Sequence, residues 1–138
     1  MKTPNEKWIK FFLRIAIATA FLSAVADRFG VWPQQVSAWA NWQSFVDYTA
    51  VLLPWWPEQV VNACAVLATI AETLFGLLLL LGFQTKKVAM LSGLLLLMFA
   101  VAMSVSLGIK APLDYSVFSA AAAAFAISSI DSRWLEIG

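Results

Sequence analysis

The fold class this sequence predicts is all-α: a polytopic membrane protein built as a bundle of four transmembrane helices. Three observations carry that expectation. The chain is 62% hydrophobic and only 12% charged, whereas soluble domains carry about 25% charged residues. Its mean hydropathy is +0.81. Its apolar residues also gather into four long stretches separated by polar or proline-marked connections. The 138 residues are enough for one domain, read here as running over 1–138.

The first span is expected over about 8–29, after a polar start carrying Lys2 and Lys7. At about 1.5 Å per residue it crosses one bilayer core of about 30 Å. A secretory signal peptide is the rival reading, since Ala24-Val25-Ala26 fits a cleavage site. Arg14 would interrupt its apolar core, and three more apolar segments follow in any case. The second span is expected over about 60–83, the third over about 88–109 and the fourth over about 113–130. Gln84–Lys87 allows only a tight antiparallel return between the second and third. Pro112 suits the first turn of a helix and Asp114 favours its positive end.

Residues 30–59 form the one long connection. It holds five of the seven tryptophans, Trp32, Trp39, Trp42, Trp55 and Trp56, and is punctuated by Pro33, Pro54 and Pro57. Val36, Trp39, Trp42, Phe45/Val46 and Thr49 recur at helical spacing, which predicts a helix lying in the membrane interface with its rings at headgroup depth. A stacking platform for a ligand is the competing use of such a cluster.

The basic residues predict orientation. Lys2, Lys7, Lys10, Arg14, Lys86, Lys87 and Arg133 fall on one side, and Arg28 and Lys110 on the other. Both termini and the Lys86-Lys87 turn are therefore expected in the cytoplasm, in a multi-pass inner-membrane protein. The Trp-rich connection is expected outside.

Charges within the spans need partners, because each costs about 2.5–3.5 kcal/mol at the bilayer centre. Glu72 lies about 15 Å from the inner end of the second span, and Arg14 about 9 Å from the same end of the first. Those depths predict an Arg14–Glu72 charge pair. A protonated Glu72 bonded to Thr69 or Thr73, or a carboxylate that handles protons or a ligand, are the alternatives. At the outer mouth Asp27-Arg28 and Lys110…Asp114 are expected to pair across helices, either pinning the helix ends or forming a polar site. That site would use Arg28 and Tyr115 as donors and Trp55 and Trp56 as apolar walls, with Asp27, Lys110 and Asp114 around it. Cys64 reads as a small buried hydrophobe.

Composition also excludes. A net charge of +1 leaves no nucleic-acid footprint. With no His and a single Cys, the chain has no CxxC pair, no His-ligated haem and no Cys/His zinc site, so no metal is expected. There is no nucleophile with a base partner and no nucleotide-binding Gly motif, so catalysis by the chain alone is not expected.

The series Arg14…Asp27-Arg28-Phe29-Gly30, then Ala71-Glu72-Thr-Leu-Phe-Gly76-Leu-Leu-Leu-Leu-Leu-Gly82-Phe, then Gly108-Ile-Lys-Ala-Pro-Leu-Asp-Tyr115-Ser looks like the DoxX family of small bacterial membrane proteins. The likeness covers nearly all of the chain. It implies a four-helix membrane domain. Arg14, Glu72 and Asp27-Arg28 match as family-pattern residues without assigned chemistry. A related family, DoxD, supplies the small membrane part of an archaeal thiosulfate:quinone oxidoreductase, and other relatives look like assembly or stress-resistance factors attached to redox systems. The expected function is thus a subunit or accessory factor of a quinone-linked redox system, with a redox partner protein and a quinone or lipid site at the outer mouth. The alternative is a non-enzymatic scaffold or small transporter. It would be a homo-oligomer meeting through small-residue faces such as Ala120–Ala124.

Overall fold

The computed structural model describes residues 5–138. Lys2 lies outside the described residues. Six helices follow one another: α1 (Glu6–Arg28), α2 (Trp42–Leu52), α3 (Glu58–Leu81), α4 (Thr85–Leu107), α5 (Lys110–Asp114) and α6 (Val117–Ser129). Three of them, α1, α3 and α4, are long and apolar enough to cross a membrane, and α6 is a shorter apolar helix. Three such helices in one chain are the make-up of a multi-pass membrane protein. The bundle has a connection end, carrying residues 29–57, and a turn end, carrying Gly82–Gln84.

α1 buries Lys10, Arg14, Ile17, Ala18, Phe21 and Arg28, a stripe at spacings of three, four and seven. α3 returns antiparallel against it. Gly76 makes the close approach possible: a Cβ there would lie 2.9 Å from Leu22 Cγ and 3.3 Å from the Ala18 carbonyl oxygen. Gly82 ends α3 in the left-handed region, φ 73°, and Phe83 N–H donates to the Leu78 carbonyl. The return is tighter than expected. Lys86 and Lys87 already lie in the first turn of α4.

α4 and α6 form the second close pair, with Gly93 accommodating the Phe125 ring. α6 also touches α1, so the packing runs α3, α1, α6, α4 and back to α3. The core is shared: Ile17, Ala18 and Phe21 from α1, Leu79 from α3, Val88 and Ala89 from α4, and Ile127 from α6. Leu67, Ile70, Leu74, Leu77 and Leu81 of α3 stay exposed on one stripe, as do Leu94, Leu97, Met98, Val101 and Val105 of α4. In a bilayer these faces meet lipid, which is as apolar as leucine.

Two expected elements differ. The fourth span is interrupted. Pro is tolerated throughout the first helical turn, so the helix begins at Lys110, ahead of Pro112, and Ser116 at φ 57° stops it. α6 then has 13 residues, about 20 Å, shorter than a bilayer core. In the long connection, helix starts only at Trp42, so Val36 and Trp39 are not helical. Asn41 caps α2 by accepting from Ser44 N–H at 2.9 Å, and Ala40 just before it is left-handed, φ 67°. α2 packs Phe45 and Val46 onto Val61 and Ala65 of α3.

Candidate functional site

The helices are not level at the connection end, and this decides the site. Arg28, the last residue of α1, lies against Thr69 and Glu72 of α3. From Thr69, α3 continues outward for about 16 Å to Glu58, and there it packs on α2. Arg28 is therefore well inside the bundle and not at its mouth.

Arg28 and Glu72 form a buried ion pair, 2% and 4% exposed. Arg28 Nη1 also donates to Thr69 Oγ1 at 2.8 Å, and the Thr69 hydroxyl donates to the Ala65 carbonyl at 2.9 Å. The Phe45 ring lies 3.7 Å from the guanidinium carbon and Trp39 5.3 Å from it. The charge is held between a carboxylate, a hydroxyl and two aromatic faces, an environment suited to the planar, weakly hydrated guanidinium.

The expected Arg14–Glu72 pair does not form. Arg14 is wholly buried, but its Nε donates to the Leu79 carbonyl at 3.0 Å and its Nη2 to Leu80 at 3.1 Å. These are carbonyls of the last turn of α3, which lack helical partners and carry the negative end of the helix dipole. Antiparallel packing puts Arg14 level with Leu79, while Arg28, about 21 Å further along α1, reaches Glu72.

Asp27 performs a different task. It accepts from the Ser37 hydroxyl, from Ala38 N–H at 2.7 Å and from Trp39 N–H at 3.2 Å. One buried carboxylate thus ties down the non-helical half of the connection. Asp27→Asn puts an amide donor against donors and is expected to cost about 1–3 kcal/mol. Thermal unfolding and faster proteolysis within residues 30–41 are the readouts; an unchanged midpoint and cleavage pattern would contradict this role.

The outer-mouth pairs do not assemble as expected either. Lys110 binds Asp114 at 2.5 Å, one turn apart and exposed on α5, while Asp27 and Arg28 are engaged elsewhere. Tyr115 is 73% exposed, Trp55 69% and Trp56 57%. Tyr115 lies near Tyr48 of α2, whose phenol is pushed up by burial and by that neighbour. Trp56 lines a hollow of about 360 Å³ between α2 and the start of α3, with Asp47 and Glu58.

The concavity that Asp27 does border is a groove of about 420 Å³ between the second half of α1 and the connection. Ala20, Ser23 and Ala24 form its floor; Trp32, Val36, Ala38 and Trp39 form its wall. Trp32 is folded back over α1 by its Nε1–H, which donates to the Ser23 carbonyl at 3.1 Å. The sequence reading counted Trp32 and Trp39 among interfacial rings and missed this groove. The available signal was the small-residue run Ala16, Ala18, Ala20, Ser23 and Ala24 opposite a tryptophan-bearing loop.

A second charged cluster, unexpected from the sequence, lies at the turn end. Lys10 donates to the Ser132 carbonyl at 2.8 Å and pairs with Glu136 at 3.1 Å. Arg14 Nη1 reaches the Trp134 carbonyl at 3.2 Å. The four-residue spacing of Lys10 and Arg14, in register with Ile17, Ala18 and Phe21, was the signal for their shared burial.

Comparison with curated proteins returns no match, and neither does comparison with solved structures. Residues 9–107 match the DoxX family. That stretch takes in α1 from Ile9, the connection, α3 and α4 to its last residue, with Arg14, Asp27, Arg28 and Glu72 inside it. The chain belongs to the DoxX family.

Proposed function

We propose that this chain is a non-catalytic membrane subunit or accessory factor of a quinone-linked redox system, and that it holds a quinone in the groove beside α1. The groove carries the reading. Its volume of about 420 Å³ falls within the range of small-molecule pockets, about 300–1,000 Å³. Its walls are apolar and aromatic, its floor is made of small residues, and Ser23 and Asp27 are the polar residues that line it, Ser23 as the proposed donor to a quinone carbonyl. The exposed small face of α1 continues from it through Ala20, Thr19 and Ala16, a track along which an isoprenoid tail could lie. Arg28 and Tyr115 are not the donors in this arrangement. The quinone, when bound, supplies two-electron carrier chemistry; the chain binds and orients it. The basic residues support insertion in the inner membrane with both termini cytoplasmic.

The scaffold reading used small-residue faces of the third and fourth spans, including Ala120–Ala124; of these Ala121 and Ala124 are buried inside the bundle and Ala122 is exposed. Purification in mild detergent, followed by solvent extraction and identification of co-purifying proteins, tests the proposal. A quinone and a redox protein are expected. Ala24→Phe fills the groove and should weaken quenching of tryptophan fluorescence by a short-chain quinone about tenfold, a loss of about 1.4 kcal/mol. Equal quenching in both proteins would contradict the site.

A further inference from the structure

The segment 130–138 is not helical, yet it is pinned to the turn end by a dense set of contacts. Two buried cations of α1 face it. Lys10 is 2% exposed and Arg14 is fully buried. Between them they bind three acceptors on this segment: the Ser132 carbonyl, the Trp134 carbonyl and the Glu136 carboxylate. Ile137 N–H donates to the Gly82 carbonyl at 3.0 Å. Gly82 permits this docking: a Cβ there would lie 2.6 Å from Glu136 Cα and 2.7 Å from Arg14 Nη2.

The cluster is under-neutralised. Among the described residues, Lys10 and Arg14 bind one carboxylate, that of Glu136, and otherwise the carbonyl oxygens of Ser132, Trp134, Leu79 and Leu80. If the segment lifts, Lys10 loses every acceptor named here and Arg14 loses one of three. An anion from outside can then take the place of the acceptors that Lys10 gives up. The site lies where such an anion is concentrated. Lys10 is about 6 Å along α1 from Glu6. Trp134 packs on Trp8 at 4.5 Å between ring centroids, with Lys7 over both rings. Lys87 is exposed at the same end, beside Lys86, which pairs with Asp131 of the segment. Tryptophan and lysine at one helix end mark headgroup depth.

We propose that Lys10 and Arg14 form a binding site for the phosphate of an anionic lipid headgroup, and that Glu136 with the Ser132 and Trp134 carbonyls occupies it as an internal stand-in. A phosphate offers enough oxygens to replace all three acceptors, and charge-assisted bonds to it are strong. The segment is thus a strap that reports the lipid around the protein.

Hydrogen exchange of the full chain in nanodiscs tests this. Amides of residues 131–137 are expected to exchange about tenfold faster in phosphatidylcholine containing phosphatidylglycerol than in phosphatidylcholine alone. Glu136→Gln should speed exchange in both lipids and retain more phosphatidylglycerol on purification. Lys10→Gln should remove the lipid dependence, which separates the site from a general surface-potential effect. Exchange within α3 and α4 in the same data reports whether each variant keeps its bundle, and if Lys10→Gln does not, the Glu136→Gln arm decides. Equal exchange of the segment in the two lipids would overturn the proposal. So would lipid retention unchanged in Glu136→Gln. Inorganic phosphate reproducing the effect in pure phosphatidylcholine would overturn the lipid assignment in favour of a free anion.

Discussion

Arg28→Ala is expected to be the most damaging single change in the bundle, costing about 3–5 kcal/mol. The guanidinium serves Glu72, Thr69 and the faces of Phe45 and Trp39 together. Without it the Glu72 carboxylate stays buried with no cation. The penalty comes from the orphaned charge more than from the lost attraction, because a buried pair gains little net stability over well-packed apolar groups. Removing both charges, as Arg28→Met with Glu72→Leu, is therefore expected to restore most of the loss. Glu72→Gln should be milder than Arg28→Ala, since an amide oxygen still accepts from Arg28 and the guanidinium, now without a counter-charge, keeps Thr69 and its two rings. Arg28→Lys keeps the charge but loses the flat face that packs on Phe45, and should fall between. Unfolding in a denaturing-detergent titration, followed by tryptophan fluorescence, reads all four. A double variant as unstable as Arg28→Ala would contradict the orphaned-charge explanation.

Gly93 sets the second large effect. Its missing side chain is the space the Phe125 ring occupies: a Cβ would lie 2.5 Å from Cε1, 2.6 Å from Cδ1 and 2.9 Å from Cζ. Carbon atoms cannot approach that closely, so Gly93→Ala forces the ring off its rotamer or pushes α4 and α6 apart, at about 1–3 kcal/mol. Gly93→Val should exceed this. Phe125→Ala alone removes a half-buried ring, leaves a cavity and costs about 2–3 kcal/mol. Combined with Gly93→Ala, its new methyl group partly fills that cavity, so the double variant should lose less than the sum of the singles. Strict additivity in the same unfolding assay would mean that the two residues do not share the space.

These positions show where sequence reasoning reached and where it stopped. The three long helices were legible because length, apolar content and boundary residues agreed: Gly82 and Gly108 stand at the ends of α3 and α4 as expected of left-handed or open backbone. The helical half of the connection was legible too, through Phe45, Val46 and Thr49 at one spacing. The partner of Glu72 was not. Estimating depth from the span ends assumes helices that start level, and α1 stops about three turns short of α3 at the connection end. Nothing in local sequence encodes that offset; it follows from Phe45 and Trp39 sitting over Arg28. The strap was invisible for another reason. Residues 130–138 have no helical or strand periodicity, and their order comes from backbone carbonyls meeting Lys10 and Arg14, which depends on tertiary placement alone. The break at Ser116 likewise has no propensity signal strong enough to divide an Ala-rich run from Pro112.

Photolabelling with an azidoquinone tests most directly whether the groove beside α1 binds a quinone. In native membranes, label is expected on peptides that carry Ala20–Ala24 and Trp32–Trp39, to be competed by unlabelled quinone, and to be lost in Ala24→Phe while the protein stays folded. Label spread evenly over the lipid-facing leucines of α3 and α4, or unchanged by Ala24→Phe, would contradict it.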